Sequence, residues 1–154
     1  RGSPGGPGPG WAPARRGPTG TGEEDDLKIK LTSVIVQDQA TALRFYTEVL
    51  GFVVKNDLPV GEHRWLTVTS PEGVEGVELA LEPAGYPFAR TYQKALYDAG
   101  IPFTAFLTDD IHDEVRRLRE RGVAFRGEPE NMGAIIGVMF EDTCGNLIQL
   151  VQPV

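Results

Sequence analysis

The chain has 154 residues, a formal net charge of −7 and one cysteine, Cys144. Gly and Pro supply 31 residues, 13 of them within residues 1–22, and 40% of the chain is hydrophobic. These values exclude a disulfide scaffold, a fibrous protein and a membrane-spanning bundle.

Taken in chain order, residues 1–26 read as a disordered Gly/Pro-rich leader without the apolar stretch of a secretory signal. Residues 27–154 read as a single domain, large enough to bury a core without staples. The lone Cys144 fits a reducing compartment, and the expected location is cytoplasmic. Acidic surface without Lys/Arg clusters excludes a nucleic-acid partner, and no apolar run is long enough for a membrane. A small neutral or cationic molecule is the partner such a charge suits, although plain solubility is the favoured account of it.

The β-branched run Lys28–Val36 predicts a strand. Asp38 offers an N-cap for a helix through Leu50, whose Leu43, Tyr46, Val49 and Leu50 form one apolar stripe, and Gly51 stops it. Three short strands follow at 52–55, 64–70 and 77–81, separated by turn chemistry. A linker helix is predicted from Thr91 to Ala99, closed by Gly100. The second half opens with a strand at Phe103–Leu107. Asp109 or Asp110 then caps a helix carrying Ile111, Val115 and Leu118, and Gly122 ends it. Strands at 124–125, 134–140 and 147–151 complete the chain, the last two joined by a turn at Asp142–Asn146.

The two halves overlay at an offset of 71 residues. This offset carries Asp38 onto Asp109, Gly51 onto Gly122, and Glu78-Leu79 onto Gln149-Leu150. The pattern is strand, capped helix, Gly stop, three strands, twice. One helix covers only one face of a four-stranded sheet, so each unit leaves its other face open. The expected fold is α+β: two βαβββ modules related by a pseudo-two-fold, cupping a mixed sheet around a central cavity. Module one is expected at about 28–86, the linker helix at about 88–100 and module two at about 102–153.

The run from Val36 through Asp38, Phe45-Tyr46 and Leu50-Gly51-Phe52 resembles the opening signature of the vicinal oxygen chelate superfamily, which includes glyoxalases, bleomycin resistance proteins and extradiol dioxygenases. Thr108-Asp109-Asp110-Ile111 and Asp142-Thr143-Cys144-Gly145-Asn146-Leu147-Ile148-Gln149-Leu150 resemble its second-half motifs. The resemblance implies a divalent metal held by one residue from the first and last strand of each module. The matching positions are Leu31, Glu78, Phe103 and Gln149, and a register shift of two brings Ser33 and Ala105. Leu and Phe have no lone pair, and one carboxylate with one amide is a poor set for Zn, Fe or Ni. The expectation is therefore no metal site and no cofactor, with a divalent metal not favoured.

The favoured function is small-molecule binding in the inter-module cavity, lined by Leu31, Ser33, Trp65, Glu78, Phe103 and Gln149. Trp65 reads equally as core. The alternative is an enzyme of lyase, isomerase or dioxygenase type using Glu78 and His63, with or without a weakly held metal. Glu78 also reads as a partly solvated strand residue, His63 as a loop histidine, and His112 as surface. A homodimer is expected, because paired chains would cover sheet surface that one chain leaves bare. A third reading is a module that serves assembly alone.

Overall fold

The computed structural model describes residues 26–154; the leader expected at 1–26 lies, but for Asp26, outside the described residues. Module one consists of β1 (Leu31–Val36), α1 (Gln39–Arg44), β2 (Val53–Val60), β3 (His63–Thr69) and β4 (Glu78–Pro83). The linker helix α2 (Pro87–Asp98) leads to module two: β5 (Thr104–Leu107), α3 (Ile111–Glu120), β6 (Glu130–Asn131), β7 (Ile135–Glu141) and β8 (Leu147–Pro153). Each module forms a four-stranded mixed sheet, ordered β1-β4-β3-β2 and β5-β8-β7-β6, with only the first pair of each parallel. The expected α+β fold of two βαβββ modules is what the chain adopts, and the two sheets do not close into a barrel. No helix among the described residues is long and apolar enough to cross a membrane.

Helix starts follow their caps. The Asp38 carboxylate accepts from Thr41 N at 2.7 Å, and Asp110, not Asp109, caps α3 by accepting from Asp113 N at 3.1 Å. Pro87 occupies the first turn of α2, four residues earlier than the predicted start, where its missing N–H costs nothing. The helix after Asp38 departs from plain α geometry. At Phe45–Val49 it widens into a π-helical turn, with Leu50 N donating to Phe45 O. The wider turn lets the adjacent Phe45 and Tyr46 both point inward, at 7% and 0% exposure.

Several boundaries differ from the sequence expectation. β2 runs to Val60 rather than Lys55 because it is an edge strand, where Pro59 removes no needed ladder bond. No strand forms at 124–125; Phe125 makes a single bridge to Phe140, and β6 at Glu130–Asn131 takes the edge instead. β4 and β8 each extend two residues further, to Pro83 and Pro153.

A single core joins the modules. Val34, Val36, Leu66, Val68 and Leu81 from module one merge with Ile111, Val115, Leu118, Phe140, Ile148 and Leu150 from module two. Phe45 and Tyr46 form the seam: Phe45 lies 6.5 Å from the Phe140 ring and Tyr46 lies 6.3 Å from Phe106. Polar bonds reinforce it. The Tyr46 hydroxyl donates to Asp142 at 2.8 Å, and Ile35 O accepts from Asn146 Nδ2 and Gln93 Nε2 at 2.7 and 2.8 Å.

Candidate functional site

Strand alternation sends Val34, Val36, Leu66, Val68, Leu79 and Leu81 into the core, so their neighbours must face the other way. Leu31, Ser33, Trp65, Thr67 and Glu78 therefore share the open face of module one. Leu31 stands directly beside Glu78 across β1 and β4, and Ser33 beside Ala80.

Glu78 is the organised polar group on this face. Its Oε1 accepts from Thr67 Oγ1 at 2.7 Å and from Asn56 Nδ2 at 2.8 Å, and Asn56 also donates to Thr67 Oγ1 at 3.0 Å. No hydrogen bond from the described residues reaches Oε2, so one carboxylate oxygen is held and the other is available. Asn56 reaches this cluster through a β-bulge between Val54 and Asn56. In an unbroken ladder, Lys55 would stand opposite Thr67 and Asn56 would turn toward the core. The extra residue puts Asn56 opposite Thr67 instead. Sequence reading missed both Asn56 and Thr67. A bulge in an edge strand leaves only the weak signal of a broken alternation.

The open face of module two carries the counterpart position, Gln149, between Ala105 on β5 and Met139 on β7. Ala105 is thus the direct neighbour of Gln149. Phe103, two residues earlier, lies outside β5; it packs against the core and meets the Tyr92 ring at 5.9 Å. Of the two positions the resemblance offered on this strand, Ala105 is the one that stands beside Gln149, because β5 sits shifted along β8 relative to β1 along β4. Beneath the Gln149 amide the backbone is bare. A Cβ on Gly137 would lie 2.7 Å from Gln149 Nε2. Gly137→Ala is expected to swing the amide aside while changing stability by less than about 1 kcal/mol, since the obstructed atom ends a flexible side chain. Side-chain amide resonances of Gln149 would report the swing; an unmoved Gln149 with a large loss of stability contradicts it.

The structure does not bring His63 to this cluster. His63 begins β3, four residues before Thr67, or about 13 Å along the strand. Its Nε2 lies against Gly85, 3.2 Å from where a Cβ would stand. The metal ligand set does not fit either. Glu78 and Gln149 have Leu31 and Ala105 as strand neighbours, neither with a donor atom, and no three His, Cys, Asp or Glu side chains gather among the described residues. One carboxylate and one amide on separate sheets are not the donor set of a firmly held Zn, Fe or Ni ion.

Cys144 is buried, and burial with the nearby Asp142 charge pushes its thiol up to about 12. It stays protonated at neutral pH and is a structural residue rather than a nucleophile.

Known proteins share this architecture. The sequence profile of the Glyoxalase/Bleomycin resistance protein/Dioxygenase superfamily matches residues 28–150. The chain is 52% identical over 126 residues to the uncharacterized protein YurT of Bacillus subtilis (strain 168), covering 82% of this chain and 99% of that protein. Among solved structures, UcmS2 is 32% identical with a TM-score of 0.69, over 81% of this chain and 97% of its own. TnmS3, an antibiotic binding protein from Streptomyces sp. CB03234, is 35% identical with a TM-score of 0.65, over 83% and 97% of the two chains.

Proposed function

The chain belongs to the Glyoxalase/Bleomycin resistance protein/Dioxygenase superfamily, and on that premise we propose that it binds a small organic cation on its open sheet faces without a catalytic divalent metal. The observation that carries the reading is Glu78: a carboxylate held at one oxygen by Asn56 and Thr67, free at the other, and bordered by the apolar side chain of Leu31. An ammonium or guanidinium donor satisfies the free oxygen, and its organic frame covers Leu31 and Trp65. The similarity to an antibiotic binding protein, TnmS3, supports a ligand of drug size.

A second copy of the chain would complete the cavity. Leu58, Val60 and Leu107 on the open faces are 56%, 61% and 71% exposed, which is apolar surface that pairing of the module-one face with the module-two face of another chain would bury. In that arrangement Gln149 supplies a neutral hydrogen-bonding end opposite Glu78. The separation of His63 from Glu78 gives no support to their acting jointly on one substrate group.

The test is a titration with aromatic amines and their neutral isosteres, followed by calorimetry and thermal shift, with light scattering for oligomeric state. Cations are expected to raise Tm where isosteres do not. Glu78→Gln should weaken cation affinity about tenfold or more, the loss of one charge-assisted bond, while leaving unbound Tm within a few degrees. Equal binding of cation and isostere, or an unaffected Glu78→Gln variant, would overturn the reading.

A further inference from the structure

A second polar pocket, of about 580 Å³, lies between α2 and the β7–β8 turn, and it shares no lining residue with the Glu78 or Gln149 surroundings. Its volume falls in the range of small-molecule sites. Along α2, Arg90, Gln93, Lys94 and Tyr97 present one helical face to it, and Glu141 and Thr143 form the opposite wall.

Most polar groups here are committed to one another, and the exceptions are informative. Gln93 is only 3% exposed, and its Nε2 donates to Ile35 O, Cys144 O and Asn146 Oδ1 at 2.8, 3.0 and 3.1 Å. Its Oε1 accepts no hydrogen bond among the described residues, and no buried side-chain oxygen or nitrogen there lacks a partner, so this oxygen is open to the pocket that Gln93 lines. Glu141 takes the Tyr97 hydroxyl and two Arg126 nitrogens all on Oε1, at 3.0, 3.1 and 2.8 Å, which leaves Oε2 uncommitted. Lys94 is paired with Asp98. Arg90 donates from Nη1 to Ala84 O at 2.8 Å and has no carboxylate partner among the described residues. Among the described residues the pocket thus offers two oxygens that accept no hydrogen bond, one of them on a carboxylate ion-paired through its other oxygen with Arg126, and a guanidinium without a carboxylate partner one helical turn away.

The backbone around it is shaped for close approach. Thr143 adopts φ of 60°, a left-handed conformation costly for a β-branched residue and the only one of its kind among the described non-glycine residues. A Cβ on Gly145 would lie 2.9 Å from both Gln37 and Gln93, so only glycine lets the two amides close over this turn.

We propose that this pocket binds a free α-amino acid, its carboxylate on Arg90 and its ammonium between Gln93 Oε1 and Glu141 Oε2. The complementarity is that of a zwitterion. A simple anion would leave both acceptors unmatched, and a simple cation would leave Arg90 unmatched.

The experiment is an NMR titration of the full-length chain with the common L-amino acids at millimolar concentration, beside amines lacking the carboxylate, such as ethylamine against alanine. At least one amino acid is expected to shift the Gln93 side-chain amide and the Thr143 and Gly145 backbone resonances. Its matched amine should bind about tenfold or more weakly, as should the exposed-site variant Arg90→Met against the amino acid itself. The comparison of amino acid with amine needs no altered protein, so it decides the matter even if a variant misfolds. The proposal is overturned if no amino acid shifts these resonances, if the amine binds equally well, or if shifts appear only at Asn56, Thr67 and Glu78, which would assign the binding to the open face.

Discussion

Replacing Asp142 with alanine is expected to lower the free energy of unfolding by about 3 kcal/mol, seen as a lower urea midpoint at unchanged slope. Asp142 is fully buried and accepts four hydrogen bonds: from the Tyr46 hydroxyl, Asn146 Nδ2, Cys144 N and Asn146 N, at 2.7 to 3.0 Å. Removing the acceptor strands several buried donors at once, each costing on the order of 1 kcal/mol or more. The same bonds join the Phe45-Tyr46 turn of module one to the closing turn of module two, so the loss is felt across the seam. Tyr46→Phe removes one donor and leaves the other three bonds in place, and its cost should be a fraction of that of Asp142→Ala. Equal costs would show that the carboxylate matters only through the tyrosine.

The pH dependence has a definite sign. Burial raises the Asp142 carboxyl above the ordinary range despite the donors from Asn146, Cys144 and Tyr46 that oppose the shift. A carboxyl that holds its proton more tightly in the folded chain than in the unfolded one favours folding below the ordinary carboxylate pKa. That contribution is lost as pH rises through the folded value. The stability margin of the native chain over Asp142→Ala should therefore widen from neutral pH toward about pH 4. A margin that narrows on acidification would contradict the raised value.

Phe140→Ala is expected to cost about 3 to 5 kcal/mol, the range for removing a large buried aromatic and leaving a cavity. Phe140 is 1% exposed and lies between the Phe45 ring at 6.5 Å and the Phe125 ring at 5.7 Å, so module one cannot collapse into the space without moving its π-helical turn. Because Phe140 and Asp142 serve the same seam two residues apart, the double variant should fall short of the sum of the singles. A measured cost below about 1 kcal/mol for Phe140→Ala would mean that the modules do not depend on this contact.

Much of the architecture was legible in order along the chain. Asp38, Gly51, Gly122 and the alternation of β3, β4, β7 and β8 each act within a few residues, and caps, positive-φ glycines and strand faces are local physics. The repeat at 71 residues required only that two such local patterns be laid side by side. The boundaries that sequence reading missed depend on position in the sheet. Pro59 reads as a strand breaker until β2 is known to be an edge, and Phe125 reads as a strand residue until β6 takes its place. The shift of β5 along β8, which sets Ala105 rather than Phe103 beside Gln149, has no marker in either strand.

The candidate site divides the same way. Glu78 and Gln149 stood out in sequence because the 71-residue offset overlays them and the family resemblance places its last-strand site positions there. The Asn56–Thr67–Glu78 cluster did not, because it brings together three strands 11 and 22 residues apart through one extra residue in β2. The repeated spacing of local elements determined by itself that this chain is two βαβββ modules with an acidic position on one open face. Only the tertiary structure decided which groups hold Glu78, which of its oxygens is free, and that His63 stands apart. Hydrogen bonds between strands are set by register, and register is settled by the whole sheet rather than by any one strand.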